Sequence, residues 1–275
     1  MIPLSLERGI VERENSLHER LSFYIKRDSL LHSLNPLTKL TLAFGLTFVA
    51  FLSPWYWAPQ FVILAIIIPL SILGRIQREY FYTAVRLILP ATAFLFVMQA
   101  LFQPTGKTII FQLWFLHVTR ESLSFAFANA SRIFAMVSSF TLFLLTTHPS
   151  ELMSDLTRHG LPSQFAYVII STIQIIPQMQ SKAQTIIAAQ RSRGLETEGS
   201  IFKRIGALVP LVGPLVFGSL VEVEERAIAI EARGFTSTHK KTSLREIRDT
   251  GFDKTFRSIL VLVVLVVIAL KIWAS

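Results

Sequence analysis

Five apolar runs divide the chain and constrain its fold more than any other feature. The last, residues 258–274 (SILVLVVLVVIALKIWA), is an almost unbroken aliphatic segment. A helix crossing a bilayer needs about 17–25 predominantly apolar residues. Residues 37–53, 57–74, 84–103 and 121–147 meet or approach that requirement. Mean hydropathy is +0.52, with 52% hydrophobic and 16% charged residues, the composition of an integral membrane protein. The N-terminus carries Glu7, Arg8, Glu12, Arg13 and Glu14, too polar for a signal peptide, so the first apolar run is expected to stay as a span. The Pro54-Trp55-Tyr56-Trp57 turn fits an aromatic belt at a headgroup interface.

Charge placement orients these spans. Twenty-three of the Lys and Arg residues fall in 1–39, in the loop bearing Arg75, Arg78 and Arg86, or in 147–257; Lys107, Arg120 and Lys271 fall on the other side. Basic residues favour the cytoplasmic face, which predicts a cytoplasmic N-terminus and an external C-terminus in the plasma membrane. The net charge of +9 therefore follows topology and gives no reason to expect nucleic acid. Two further apolar stretches, 165–177 and 205–221, would place Lys182, Arg191, Arg193, Lys203 and Arg204 outside if both crossed. The second is interrupted by Pro210, Gly213 and Pro214. Both are expected to pack against the inner face or to lie half-buried in the bundle.

The resulting expectation is an all-α integral membrane protein with about five transmembrane helices and a helical block at the inner face. Its parts are an amphipathic N-terminal segment, 1–35; helices one to four, 36–147; the inner block, 148–252; and a C-terminal span, 253–275. Leu17, Leu21, Tyr24 and Ile25 are spaced for a short surface helix. Three helices are expected in the inner block. One runs from Thr147-His148-Pro149 to near Gly160, one from about Gln164 through a bend at Pro177 to Gly194, and one from about Gly213 to Gly234.

No ATP-binding or catalytic motif is present. There is no GxxxxGK[ST], GxSxG, HExxH or paired-carboxylate pattern, and no cysteine. His18, His32, His117, His148, His159 and His239 are scattered without ligand spacing. No metal or other cofactor is expected. Arg132 falls inside the fourth span beside Ser131, Ser138 and Ser139, where a charge is either functional or held by polar neighbours. Glu222 with Arg226, and Asp155 with Arg158, have the spacing of helix-surface ion pairs.

Two helix endings in the inner block share one design. Ala188-Ala189-Gln190-Arg191-Ser192-Arg193-Gly194 ends the first and Ile230-Glu231-Ala232-Arg233-Gly234-Phe235 the second. Glycine past a helix takes the left-handed conformation that closes it, and a cation in the last turn complements the dipole. Taken singly, each is a common helix stop. As a pair, each with a small residue before its arginine, they suit insertion of a guanidinium into an acidic groove on a partner.

These endings resemble the transmembrane T component of energy-coupling factor importers, a family that also serves cobalt and nickel uptake. Its signature is a pair of Ala-Arg-Gly-like motifs ending cytoplasmic coupling helices. Ala232-Arg233-Gly234 matches, while Ser192-Arg193-Gly194 has serine for alanine. The stretch from Ser29 to Leu40, Gly160-Leu161-Pro162 and Ile176-Pro177 are similar too, so the resemblance covers about residues 22–273. It implies that Ser192, Arg193, Gly194, Ala232, Arg233 and Gly234 dock two ABC-type ATPase subunits, beside a small substrate-binding membrane subunit and membrane lipid. The implied function is a scaffold coupling ATP hydrolysis elsewhere to vitamin or metal-ion uptake. Two other classes stand beside it: a membrane-embedded enzyme acting on a lipid or isoprenoid, which would call for clustered acids or histidines, and a conventional ABC permease, which contacts its ATPase through one loop.

Overall fold

The computed structural model describes residues 24, 27, 29–102, 109–113, 116–194, 201–237 and 249–274. The described residues are helical apart from one short hairpin and the connections between elements, as the apolar runs predict. It divides into two units, one comprising Phe23–Gly160 with Ile247–Ser275, the other Leu161–Glu246 with Met1–Ser22. The expected surface helix around Leu17 and Leu21 lies outside the described residues.

The first unit is the membrane unit. It contains α1 (Leu30–Ser33) and α2 (Pro36–Leu52), α3 (Ala58–Leu73) and α4 (Gln77–Phe102). The strands β1 (Ile109–Leu113) and β2 (Leu116–Thr119) then lead to α5 (Arg120–Thr146), α6 (Pro149–Arg158) and, after the second unit, α9 (Gly251–Ala274). Helices α4, α5 and α9 are long and apolar enough to cross a membrane, whereas α2 and α3 are apolar but shorter. At about 1.5 Å per residue, the 17 residues of α2 reach about 25 Å, slightly under a typical hydrocarbon core.

Local chemistry sets the helix starts. Asn35 accepts from the Leu37 N–H at 2.9 Å, with Pro36 pre-set for the first turn. Thr119 and Ser122 close a reciprocal capping box on α5. His148 caps α6 through Nδ1.

Two features depart from the sequence reading. The third span begins at Gln77 rather than near residue 84, because a polar first turn joins the apolar run without a break. Ile109–Leu113 and Leu116–Thr119 pair as antiparallel strands, an element the reading of spans does not contain. Two π-helical segments, Val62–Ile67 and Ala84–Ile88, precede Pro69 and Pro90. A proline ring crowds the carbonyl four residues back, and local widening relieves that clash without breaking the helix.

Helix α5 is the axis of packing in this unit, in contact with α2 and α4. Its buried face is largely small: Ser122, Ala126, Ala128, Ser131, Ala135, Ser138 and Ser139, which permits close helix approach. Ser139 and Thr146 donate to carbonyls one turn back, at 2.7 and 2.8 Å, satisfying hydroxyls that cannot reach water. Helix α9 packs on α2, and a Cβ at Gly45 would overlap the Leu260 side chain. Only glycine admits that approach.

A buried polar rim ties together the start of α2, the end of α5 and the start of α9. Lys39 Nζ donates to the carbonyls of His32 and Thr146, both at 3.0 Å. Asp253 accepts from the Asn35 N–H at 3.3 Å and the Thr250 N–H at 3.2 Å. Asp155 is fully buried, and its ion-pair contact is with His159 Nδ1 at 3.8 Å. The expected surface pair with Arg158 is corrected: the carboxylate lies on the one face of α6 that is covered, and α6 packs on α2.

The second unit holds α7 (Ser163–Ser192) and α8 (Ile201–Ala232). Pro177 lies within a continuous α7. Helix α8 starts about one-third of its length before the expected Gly213, running through Pro210 and Pro214. Both prolines are exposed. Each removes one ladder bond on an open face, a cost that the apolar turns on either side sustain.

Candidate functional site

Both helix tips close as their glycines require. Gly194 has φ +91 and Gly234 φ +70. At the second tip the Phe235 N–H bonds to the Ile230 carbonyl at 3.1 Å and the Gly234 N–H to the Glu231 carbonyl at 2.9 Å. That pair of bonds defines a Schellman closure. At the first tip the Gly194 N–H bonds to the Arg191 carbonyl at 3.0 Å, the matching inner bond. Ser192 Oγ donates to the Ala189 carbonyl at 2.8 Å, so the hydroxyl folds back on its own helix. Serine thus leaves the tip as slender as Ala232 leaves the other.

These closures place Arg193 and Arg233 at the C-cap, one residue past the end of each helix, both exposed. Neither guanidinium makes an ion pair or side-chain hydrogen bond among the described residues. Nothing lies within 4 Å of where a Cβ would stand on Gly194 or Gly234. Each tip is a cation on a narrow, open helix end.

The two tips are far apart. Helices α7 and α8 run antiparallel: Tyr167 stacks obliquely on Phe235, ring centroids 5.2 Å apart, and Ser219 Oγ approaches Met179 Sδ at 3.3 Å. Lys182 forms an ion pair with Glu222 near the middle of the pair. Arg233 therefore lies beside the start of α7, while Arg193 ends it. Along the pair the tips are separated by about 40 Å at 1.5 Å per residue. The tips are legible in the sequence but their separation is not, since spacing alone does not say how the helices pair. Glu222 was expected to pair with Arg226 on its own helix; it reaches across to Lys182 instead, because its side chain faces α7.

Much of the exposed surface between the tips is apolar. Phe165, Val168, Ile169, Ile173 and Ile176 of α7, with Val216, Phe217 and Leu220 of α8, are exposed. Among the described residues no group of three or more His, Cys, Asp or Glu side chains is arranged to hold a metal.

The profile of the cobalt transport protein family, CbiQ, matches residues 27–244. Among curated proteins, the energy-coupling factor transporter transmembrane protein EcfT of Thermanaerovibrio acidaminovorans is 32% identical over 246 residues, covering 85% of this chain and 90% of that protein. The EcfT of Bacillus subtilis is 30% identical over 255 residues, 90% of this chain and 94% of that one. The EcfT of Lactococcus lactis is 26% identical over 261 residues, 92% and 96% respectively.

Proposed function

The chain belongs to the CbiQ cobalt transport protein family, which takes in the EcfT membrane proteins of energy-coupling factor transporters, and from that premise we propose that it is the scaffold of such an importer. Two ABC-type ATPase subunits dock on it, one at each tip, and a small substrate-binding membrane subunit lies beside it. The N-terminus is cytoplasmic and the C-terminus external, so the basic tips face the ATPases. The cargo is a vitamin or a metal ion captured by the small subunit.

One observation carries this reading: a single chain holds two exposed arginines on like-built helix ends at opposite ends of one helical pair. Arg193 and Arg233 present planar forks of donors to carboxylates in a groove on each ATPase. Ser192 and Ala232 keep the approach narrow. Gly194 and Gly234 end the helices so that the arginine stands at the very tip. ATP-driven closing of the ATPases would change the distance between the two docking points. The pair would transmit that change through α7 and α8 to their apolar face, where the small subunit rests.

Purification of the tagged chain from native membranes in mild detergent tests this. Co-elution of two ATPases and a small hydrophobic protein is expected, and loss of the ATPases alone when Arg193 and Arg233 are both replaced by alanine. Elution without any ATPase in several detergents would instead favour a membrane-embedded enzyme.

A further inference from the structure

Among the described residues of the membrane unit, one half-buried cation has a buried donor without a partner. Arg132 of α5 is half-buried. Its Nη1 donates to Asn129 Oδ1 at 3.4 Å, and its Nε is buried without a hydrogen-bond partner. Among the described residues it forms no ion pair. The acid nearest to it along α5 is Glu121, eleven residues and about 16 Å away along the axis. Glu79, Glu151, Asp155, Asp249 and Asp253 all belong to the opposite rim. A half-buried guanidinium calls for an anion, and no described acid of this unit lies nearby.

Its position says which anion. Helical side chains lean toward the helix N-terminus, and the bond from Arg132 to Asn129 has that direction. The guanidinium is therefore level with Ala128. Ala128, one turn before Arg132, forms with Ser124 and Phe127 one wall of a cavity of about 350 Å³, and Tyr56 and Trp57 of the α2–α3 turn with Gln60 of α3 form the other. The Gln60 amide lies 3.1 Å from Ser131 Oγ, which fixes that register. Trp55, Tyr56 and Trp57 are 71%, 67% and 77% exposed. Such aromatics mark the headgroup level of a bilayer, so Arg132 is within a turn of lipid phosphates.

We propose that Arg132 and this cavity together seat one anionic phospholipid, its phosphate on the guanidinium and the glycerol end of an acyl chain between Trp57 and Phe127. The planar fork of arginine matches phosphate oxygens, and the cavity gives an apolar slot beside it. This inference requires the chain to be in a membrane but not the docking of ATPases.

The test uses the full complex in mild detergent, with phosphatidylglycerol as the probe and phosphatidylcholine as the neutral control. The wild-type complex should retain phosphatidylglycerol through delipidation, and Arg132→Gln should bind it about ten-fold more weakly. Arg132→Lys should retain part of the binding. Ser124→Trp, which fills the cavity and leaves the cation in place, should also displace the lipid, and it keeps the test decisive if Arg132→Gln fails to insert. ATPase recovery should be unchanged, so failure here is separable from failure of the scaffold reading. Equal retention of the two lipids, or undiminished phosphatidylglycerol in Arg132→Gln or Ser124→Trp, would overturn the proposal. So would loss of the small membrane subunit from Arg132→Gln with lipid retained, which would give the cation to a protein carboxylate.

Discussion

In the membrane unit the buried set includes Lys39, Asp155 and Asp253 beside Leu42, Leu46 and Ile67. In the α7–α8 unit the buried residues among those described are Ala166, Pro177 and Leu211. One unit turns its polar groups inward at a rim and its apolar groups outward. The other leaves most of its described side chains exposed or half-exposed, charged and apolar alike. A helical pair with so little of its surface covered owes little of its order to its own core. Its two tips and its exposed apolar side chains are the surfaces that the proposed function gives to partners, whereas the membrane unit is fastened from within. Substitutions in the two units should therefore separate: those in the pair should cost assembly, those in the membrane unit stability.

The largest effect is expected at the tips. Replacing both Arg193 and Arg233 with alanine should abolish uptake and ATPase recovery while insertion and thermal stability hold. Truncating one side of a desolvated charge pair typically costs about 2–5 kcal/mol, and two such losses exceed what assembly tolerates. Each single change should be milder, and high salt should loosen the wild-type contact.

Next comes the packing of α9 on α2. Gly45→Val would drive a side chain into Leu260 and should destabilise the membrane unit by about 1–3 kcal/mol. It would be seen as a lowered Tm in detergent, with ATPase recovery from the folded fraction unchanged. A lost ATPase at normal Tm would break the separation of the two units. Lys39→Met should lower Tm by a comparable or smaller amount, since it strands the His32 and Thr146 carbonyls at about 1–3 kcal/mol. The smallest effect belongs to Lys182→Ala. Its pair with Glu222 is 40% and 37% exposed, and such pairs contribute about 0–1 kcal/mol.

How far these differences were legible in the sequence depended on whether a signal was local. Helix ends were readable because a glycine at positive φ and a preceding cation are neighbours in sequence; Gly194 and Gly234 stand where the pattern put them. The apolar runs were readable because lipid exposure leaves long uninterrupted stretches. The start of α8 was not, since Pro210 and Pro214 read as breaks until the exposed path of the helix is known. The close approach of Leu260 to Gly45 and the partner of Glu222 depend on helices far apart in sequence. Asp155 looked like a surface acid because its burial is decided by α2, more than a hundred residues earlier in the chain.

The central claim is that one chain carries two ATPases on two opposed tips. Native mass spectrometry of the complex, purified through a tag on this chain, tests it most directly. The account predicts one copy of this chain with two ATPase subunits, and none on the Arg193→Ala, Arg233→Ala double variant. A single ATPase on the wild-type chain, or two that stay bound to the double variant, would contradict it.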